Sequence, residues 1–380
     1  MIQRKLISFG DMSCDYRVGS GALEHVSSYA SSVVGLARRV VLVREEEASA
    51  SALQEVSRGL IDAGFQIHEF VVPASAHRVD LSLTCRLFDA CEQASLTSDD
   101  LMVGFGSADL CGMVSFVAQS WVGGIASLMV PTTLDAMVVV ATHMDGISLG
   151  SFPHMISVPA RPAMVVADID LLKGTDIEKR HLGHLLLIAS ALMDSRRSWT
   201  RIAELIPDLL QLDEAALSEL LTMAQASRLA AERSQSPAVR KGTEFGYVTA
   251  RALEACLDPV PKAYHALAEG MRFEARLGTE AGRFEIDDAF ALDDMFETLG
   301  IFELPFVLDE NTFIEALYQE RYRRSGRMLL ALPQMVGSIR LSVADEDLLR
   351  RHARAYVASR AALADSDASH ELCIKSEYDG

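Results

Sequence analysis

Two stretches of this 380-residue chain carry residue types at a spacing that could do chemistry. In the first, Gly104-Phe105-Gly106-Ser107-Ala108-Asp109 follows the short apolar run Leu101-Met102-Val103-Gly104 and opens a segment of helical period, Ala108 to Trp121. Glycines in such a strand-to-helix turn let the backbone come close to a phosphate whose charge rests on the helix N-terminus. A tight turn without a ligand has the same signature. In the second, His181 and His184 stand three residues apart on the amphipathic segment Ile177 to Met193, so one helix face carries two imidazoles. Such a pair could contribute to a zinc or iron site; it also reads as one half-exposed histidine and one buried, hydrogen-bonded one.

The elements that must position these residues fall into two kinds. Up to Asp168 the chain alternates short β-branched runs with amphipathic segments, which predicts β–α units around a parallel sheet. Strands are expected at Arg39 to Val43, Ile67 to Val72, Leu101 to Gly104, Ala126 to Val130 and Met164 to Ala167, with helices at Ser51 to Ala63, Leu81 to Ala94 and Ala108 to Trp121. Gly146 to Pro162, rich in Gly, Ser and Pro, reads as a crossover between domains. Beyond it the apolar spacing changes to i, i+3, i+4, which predicts a mainly helical second half, with Asp213 as a helix N-cap. The polar, aperiodic end, 366–380, predicts an irregular tail.

Composition excludes several classes. A formal net charge of −18 argues against nucleic acid and against an anionic membrane surface as partners. No apolar run reaches the ~20 residues of a spanning helix, and the first residues lack the apolar core of a secretory leader, so cytoplasmic residence is the expectation. The six cysteines are scattered and read as reduced thiols. Only six of the 35 cations are lysine, and none lies between Leu6 and Leu172.

The run LMVGFGSADLCGMVSFVAQSWVGGIASLMVPTTLDAM resembles the central segment of the 3-dehydroquinate synthase family, the sugar phosphate cyclases. Asp109-Leu110, Gly112, Phe116, Gly124-Ile125 and Val130-Pro131-Thr132-Thr133-Leu134 match that family's pattern in order and spacing. Further matches are Tyr16 to Leu23, Pro162 to Asp168, Gly270-Met271 and Glu320 to Leu332. The resemblance implies a doubly wound, Rossmann-like α/β domain over 1–162 and an all-α domain over 163–365, with a cleft between them and a dimeric assembly. It further implies NAD in the first domain, a divalent metal, usually zinc, in the second, and phosphate elimination with carbocycle closure from a sugar phosphate.

Residue by residue, most of that machinery is replaced. The positions of the three metal ligands fall on His184, Thr243 and Ala263, and the family's cations on Gly123, Asp145, Pro153, His154 and Leu187. An aspartate of the family's pattern falls on Val139, and Val103, Phe105 and Ala108 stand for glycines of the turn, so Phe105 is expected to crowd it. Under the resemblance the nucleotide contacts are Gly104, Gly106, Asp109, Thr132 and Thr133. A rebuilt metal site would use His184, Glu244 and His265, and the cleft candidates are His154, His184, Glu244 and Arg321. Arg321, Arg323, Arg324 and Arg327 lie where the family holds phosphate with lysines. The expected function is a diverged relative with altered chemistry on a small metabolite in a specialised biosynthetic pathway. The alternative is a catalytically silent homologue, a scaffold or partner subunit, and NAD- and zinc-dependent dehydroquinate synthesis ranks last.

Overall fold

The computed structural model describes residues 1–380 apart from 11, 37, 75–78, 143–145, 151, 160, 379 and 380, and apart from the side chains of 367–378. Asp145, assigned above to a family lysine, therefore lies outside the described residues. In chain order the elements are β1 (Gln3–Ser8), β2 (Ser13–Gly19), α1 (Val26–Val34), β3 (Arg39–Glu45), α2 (Ala50–Asp62), β4 (Gln66–Val72), α3 (Leu81–Gln93), β5 (Leu101–Gly106), α4 (Ala108–Ser120), β6 (Ala126–Pro131), α5 (Leu134–Val139), β7 (Ile147–Leu149), β8 (Phe152–Ile156) and β9 (Met164–Asp168). There follow α6 (Glu178–Asp194), α7 (Arg196–Leu210), α8 (Glu214–Glu232), α9 (Pro237–Arg240), α10 (Tyr247–Cys256), α11 (Ala263–Glu280), α12 (Ile286–Thr298), α13 (Glu310–Tyr322), β10 (Leu329–Met335), β11 (Ser338–Val343) and α14 (Glu346–Tyr378). The chain divides into two compact units, Met1–Leu187 with Asp208–Ala230, and Ile188–Pro207 with Ala231–Gly380.

The first unit is built on a sheet of order β1-β2-β9-β6-β5-β3-β4, parallel throughout except for β1 at one edge. Val40 and Leu42 of β3, Val103 and Phe105 of β5, Leu128 and Val130 of β6 and Val166 of β9 share one face with Val26, Val56 and Leu60 from α1 and α2. Their neighbours Val41, Val43, Met102, Met129 and Val165 are buried on the other face. Burial on both faces is why these strands read as continuous apolar runs rather than alternating ones. The sheet takes in β9, past residue 162, and 208–230 return to this unit, so the units cross the expected boundary. At the end of β9, the Asp168 carboxylate accepts backbone N–H bonds from Gly21, Leu23 and Asp170, which ties β9 to the turn after β2.

Close packing fixes α6 on α5. A Cβ at Gly183 would collide with the Leu134 side chain and lie 2.7 Å from the Asp135 nitrogen, so only glycine allows this approach. Gln225 of α8 donates to the carbonyls of Met137 (3.1 Å) and Val138 (2.9 Å) at the end of α5, and Tyr16 donates to Met137 as well (3.0 Å).

The second unit packs Leu253, Phe273, Leu277, Phe313, Leu317, Leu349 and Tyr356 from its helices against Leu330 and Leu332 of β10. Two features correct the sequence expectation. It is not all-α: β10 and β11 form an antiparallel hairpin through Gly337 (φ 94°). The expected irregular tail instead continues α14 as far as Tyr378, because no Gly or Pro interrupts 346–378. Asp213 does cap α8, its carboxylate accepting from the Ala216 N–H at 2.8 Å.

This unit also holds a buried charge network. Glu269, wholly buried, accepts from Arg272 (3.1 Å), Arg360 (2.7 Å), the Tyr356 hydroxyl (2.7 Å) and the Leu304 N–H (3.0 Å). Arg272 also pairs with Asp293 at 3.0 Å and Arg360 with Glu303 at 3.0 Å. Every one of these charges has its counter-charge, which is the condition for burying them.

Candidate functional site

The glycine turn sits where an open α/β sheet offers a crevice. β3 leads to β4 on one side while β5 lies on the other, so the strand order reverses between the carboxyl ends of β3 and β5. The strand continues to Gly106, and its alternation turns Phe105 into the core, where it is fully buried. The expected crowding of the turn by Phe105 is therefore corrected. Gly104 instead admits α4, since a Cβ there would stand 3.0 Å from the Met129 sulfur and 3.3 Å from Val114.

The other candidate contacts gather here. The Thr132 N–H donates to the Gly106 carbonyl at 3.0 Å, and the Thr133 hydroxyl accepts from the Ala136 N–H at 3.4 Å, capping α5. Asp109 lies in the first turn of α4. The electrostatics, however, are those of a cation or hydroxyl site. Glu45, the last residue of β3, accepts from both the N–H and the hydroxyl of Ser107 at the start of α4. With Glu46, Glu47, Val79 and Asp109 it lines a cavity of about 240 Å³, which no lysine or arginine among the described residues lines; Arg78, between the lining residues Ala74 and Val79 in sequence, lies outside the described residues. The adjoining Arg44 is paired with Glu69 at 3.1 Å. An acid beside a glycine turn can receive ribose hydroxyls, but a pyrophosphate on this helix end would face Glu45, Glu46 and Glu47 with no lysine or arginine lining the cavity among the described residues. The described residues of this turn do not fit a dinucleotide held in the family's manner.

The histidine pair lies on α6. His184 is wholly buried, and neither ring nitrogen has a hydrogen-bond partner among the described residues. Burial, with His181 and Arg180 beside it, pushes its pKa down to about 3, so the ring is neutral. The His181 ring lies 5.9 Å away. Arg180, one turn earlier, is buried with its Nε and Nη1 unpartnered among the described residues. No group of three or more His, Cys, Asp or Glu side chains among the described residues is arranged to hold a metal ion. A divalent cation at His184 would also lie one helical turn from an unneutralised guanidinium, and the donor set does not fit a metal.

The remaining candidates lie elsewhere. Glu244 and Arg321 come together in the second unit at 3.6 Å, with Lys241 donating to Glu244 at 2.6 Å. Behind them Glu274, wholly buried, accepts from the Gly246 N–H (2.8 Å) and the Thr249 hydroxyl (3.0 Å), and burial raises its pKa to about 8. Arg323 and Arg324 pair with Glu320 at 3.0 and 3.7 Å, and Arg321 donates to the Arg327 carbonyl. In these pairs Arg321, Arg323, Arg324 and Lys241 share two carboxylates, Glu244 and Glu320. The His265 ring lies 4.2 Å from that of Tyr264 near the start of α11. His154 belongs to the β7–β8 hairpin of the first unit, its Nδ1 2.9 Å from the Gly146 carbonyl. The sequence reading passed over Glu45, Arg180 and Glu274; only the Glu45-Glu46-Glu47 run at the end of a strand gave a local signal.

A sequence model described as 3-dehydroquinate synthase N-terminal matches residues 69–182. The chain is 24% identical over 323 residues to the 3-dehydroquinate synthase of Corynebacterium jeikeium (strain K411), covering 84% of this chain and 86% of that one. It is 23% identical over 357 residues to that of Desulforamulus reducens (strain ATCC BAA-1160 / DSM 100696 / MI-1), covering 90% and 97%. A 2-deoxy-scyllo-inosose synthase complexed with carbaglucose-6-phosphate, NAD+ and Co2+ superposes with a TM-score of 0.80 at 17% identity, over 93% of this chain and 99% of that one. In sequence the chain is similar to 3-dehydroquinate synthases, and in fold to sugar phosphate cyclases. ValA, a 2-epi-5-epi-valiolone synthase from Streptomyces hygroscopicus subsp. jinggangensis 5008, has the same fold, with a TM-score of 0.78 at 16% identity over 94% and 99%. In this dehydroquinate-synthase-like chain the matched segment runs from β4 into α6, and so contains both the glycine turn and Arg180.

Proposed function

We propose that this dehydroquinate-synthase-like chain is a diverged member with altered chemistry on a small metabolite, in a specialised biosynthetic pathway, without the family's NAD and metal. The supporting observation is a reversal of charge at the two places the family uses. Among the described residues, the turn that would hold a pyrophosphate is lined by Glu45, Glu46 and Glu47 without a lysine or arginine, and the helix that would hold a metal carries Arg180, which makes no ion pair there, beside neutral His184. Cytoplasmic residence and a homodimer, or pairing with a homologue, are the setting this reading takes from the resemblance. Elemental analysis of the purified chain and calorimetric titration with NAD test it. The reading expects less than stoichiometric metal and no saturable NAD binding; stoichiometric zinc lost in His184→Phe, or NAD affinity in the micromolar range, overturns it.

A silent scaffold or partner subunit is the second reading. It is favoured by the pairing of Glu244 with both Arg321 and Lys241, which holds that carboxylate to the protein's own cations rather than to a substrate.

A further inference from the structure

Arg180 and His184 are four residues apart on α6, a spacing that places both side chains on one helix face. Arg180 keeps 8% of its surface, and its Nε and Nη1 have no acceptor among the described residues. A guanidinium does not shed its proton in a protein, so this charge stays where it is. Among the described residues the acid whose field reaches it is Asp176, which is exposed and makes no ion pair with it. A buried, uncompensated charge costs several kcal/mol, and an anion is the chemistry that removes that cost. The position favours one, because Arg180 lies in the first turn of α6, where the helix dipole attracts negative charge.

His184 narrows the class. A neutral imidazole has one N–H donor and one acceptor nitrogen, and both are buried and unused here. A simple carboxylate could take the donor and leave the acceptor unsatisfied. A ligand that also carries a hydroxyl satisfies both.

We infer that Arg180 and His184 form a binding site for a small oxyanion bearing a hydroxyl group, of the hydroxy-carboxylate or hydrogen-phosphate kind. Arg180 supplies charge and N–H donors, and His184 donates one hydrogen bond and accepts one. The inference deepens the proposed function and rests on that reading for the absence of a metal at His184. A site of this sign differs from the metal position that His184 occupies by alignment: a cation stands in the protein where the family places one as a ligand.

The test uses the full chain, titrated calorimetrically and melted with inorganic phosphate, glycolate and acetate. Phosphate or glycolate, or both, is expected to bind and raise the unfolding midpoint, and acetate, lacking the hydroxyl, to bind more weakly than glycolate. Preference for phosphate or for glycolate identifies which source supplies the oxyanion. Arg180→Met should weaken binding about tenfold or more, the loss expected for charge-assisted hydrogen bonds. It should leave the ligand-free midpoint unchanged or higher, since it removes an unpaired buried charge. His184→Phe should abolish the preference of glycolate over acetate. The inference is overturned if none of the three anions binds at about 10 mM, the limit of a weak site, if Arg180→Met binds them like the parent chain, or if it lowers the ligand-free midpoint. NAD or zinc binding would sink the functional reading separately, and is measured without these anions.

Discussion

Two buried arginine environments in this molecule differ in one respect. Arg272 and Arg360 of the second unit share Glu269 and reach Asp293 and Glu303, so each buried charge meets an opposite one. Arg180 of the first unit is buried without any ion pair among the described residues. The difference teaches where to look for ligand chemistry. A satisfied network joins α11 to α14 and to the segment around Leu304, and is structural, whereas a charge that the protein leaves open needs something the protein does not itself supply.

The comparison can be broken most forcefully at its satisfied end. Glu269→Gln should cost about 3 kcal/mol, because it removes the buried carboxylate that two buried guanidinium groups share and leaves them only Asp293 and Glu303, and a urea or thermal scan should show the second unit unfolding first. A loss below about 1 kcal/mol, the level of an exposed pair, would mean that pairing is not what the network contributes. In the first unit, Gly183→Ala should cost about 1–3 kcal/mol by forcing α6 away from Leu134 and Asp135. Unchanged stability would show that α6 is not seated as tightly as described.

The smallest effect concerns protons. Glu274 has its folded pKa raised from 4.5 to about 8, mainly by burial, so the native state holds this proton more tightly than the unfolded chain. The stability it contributes is fully present below about 4.5 and lost as pH rises toward about 8. Glu274→Gln should therefore flatten the fall in stability across that window, followed by denaturant midpoints at successive pH values. Parallel curves for the two proteins would contradict this placement of the proton.

Much of the fold was legible because its signals are local. The doubly buried strands announce themselves as runs such as Leu101-Met102-Val103, and Asp213 precedes its helix in a recognisable cap. The pieces that escaped depend on partners. Gly146 to Pro162 read as a crossover, yet Ile147–Leu149 and Phe152–Ile156 pair as a hairpin. The β10–β11 hairpin was hidden in a stretch whose residues match a family motif but not a helical or strand period of their own. Phe105 was misread because the strand's last residue, and so the side to which Phe105 points, is set by pairing with β3 and β6. For the site, sequence brought out Gly106, Thr132, His184 and the Glu244–Arg321 neighbourhood, but gave no sign that Glu45 would reach Ser107 across 62 positions. Nor could it show that Arg180 is buried without a counter-ion, since burial of one side chain on a helix is decided by what packs over it.

The most direct measurement compares Arg180→Met with Arg360→Met in one phosphate-free buffer, each melted against the parent chain. If open charge marks the ligand site and paired charge the scaffold, Arg360→Met lowers the unfolding midpoint while Arg180→Met leaves it level or raises it. An equal fall in both would show that Arg180 is already satisfied within the protein, and would contradict the account.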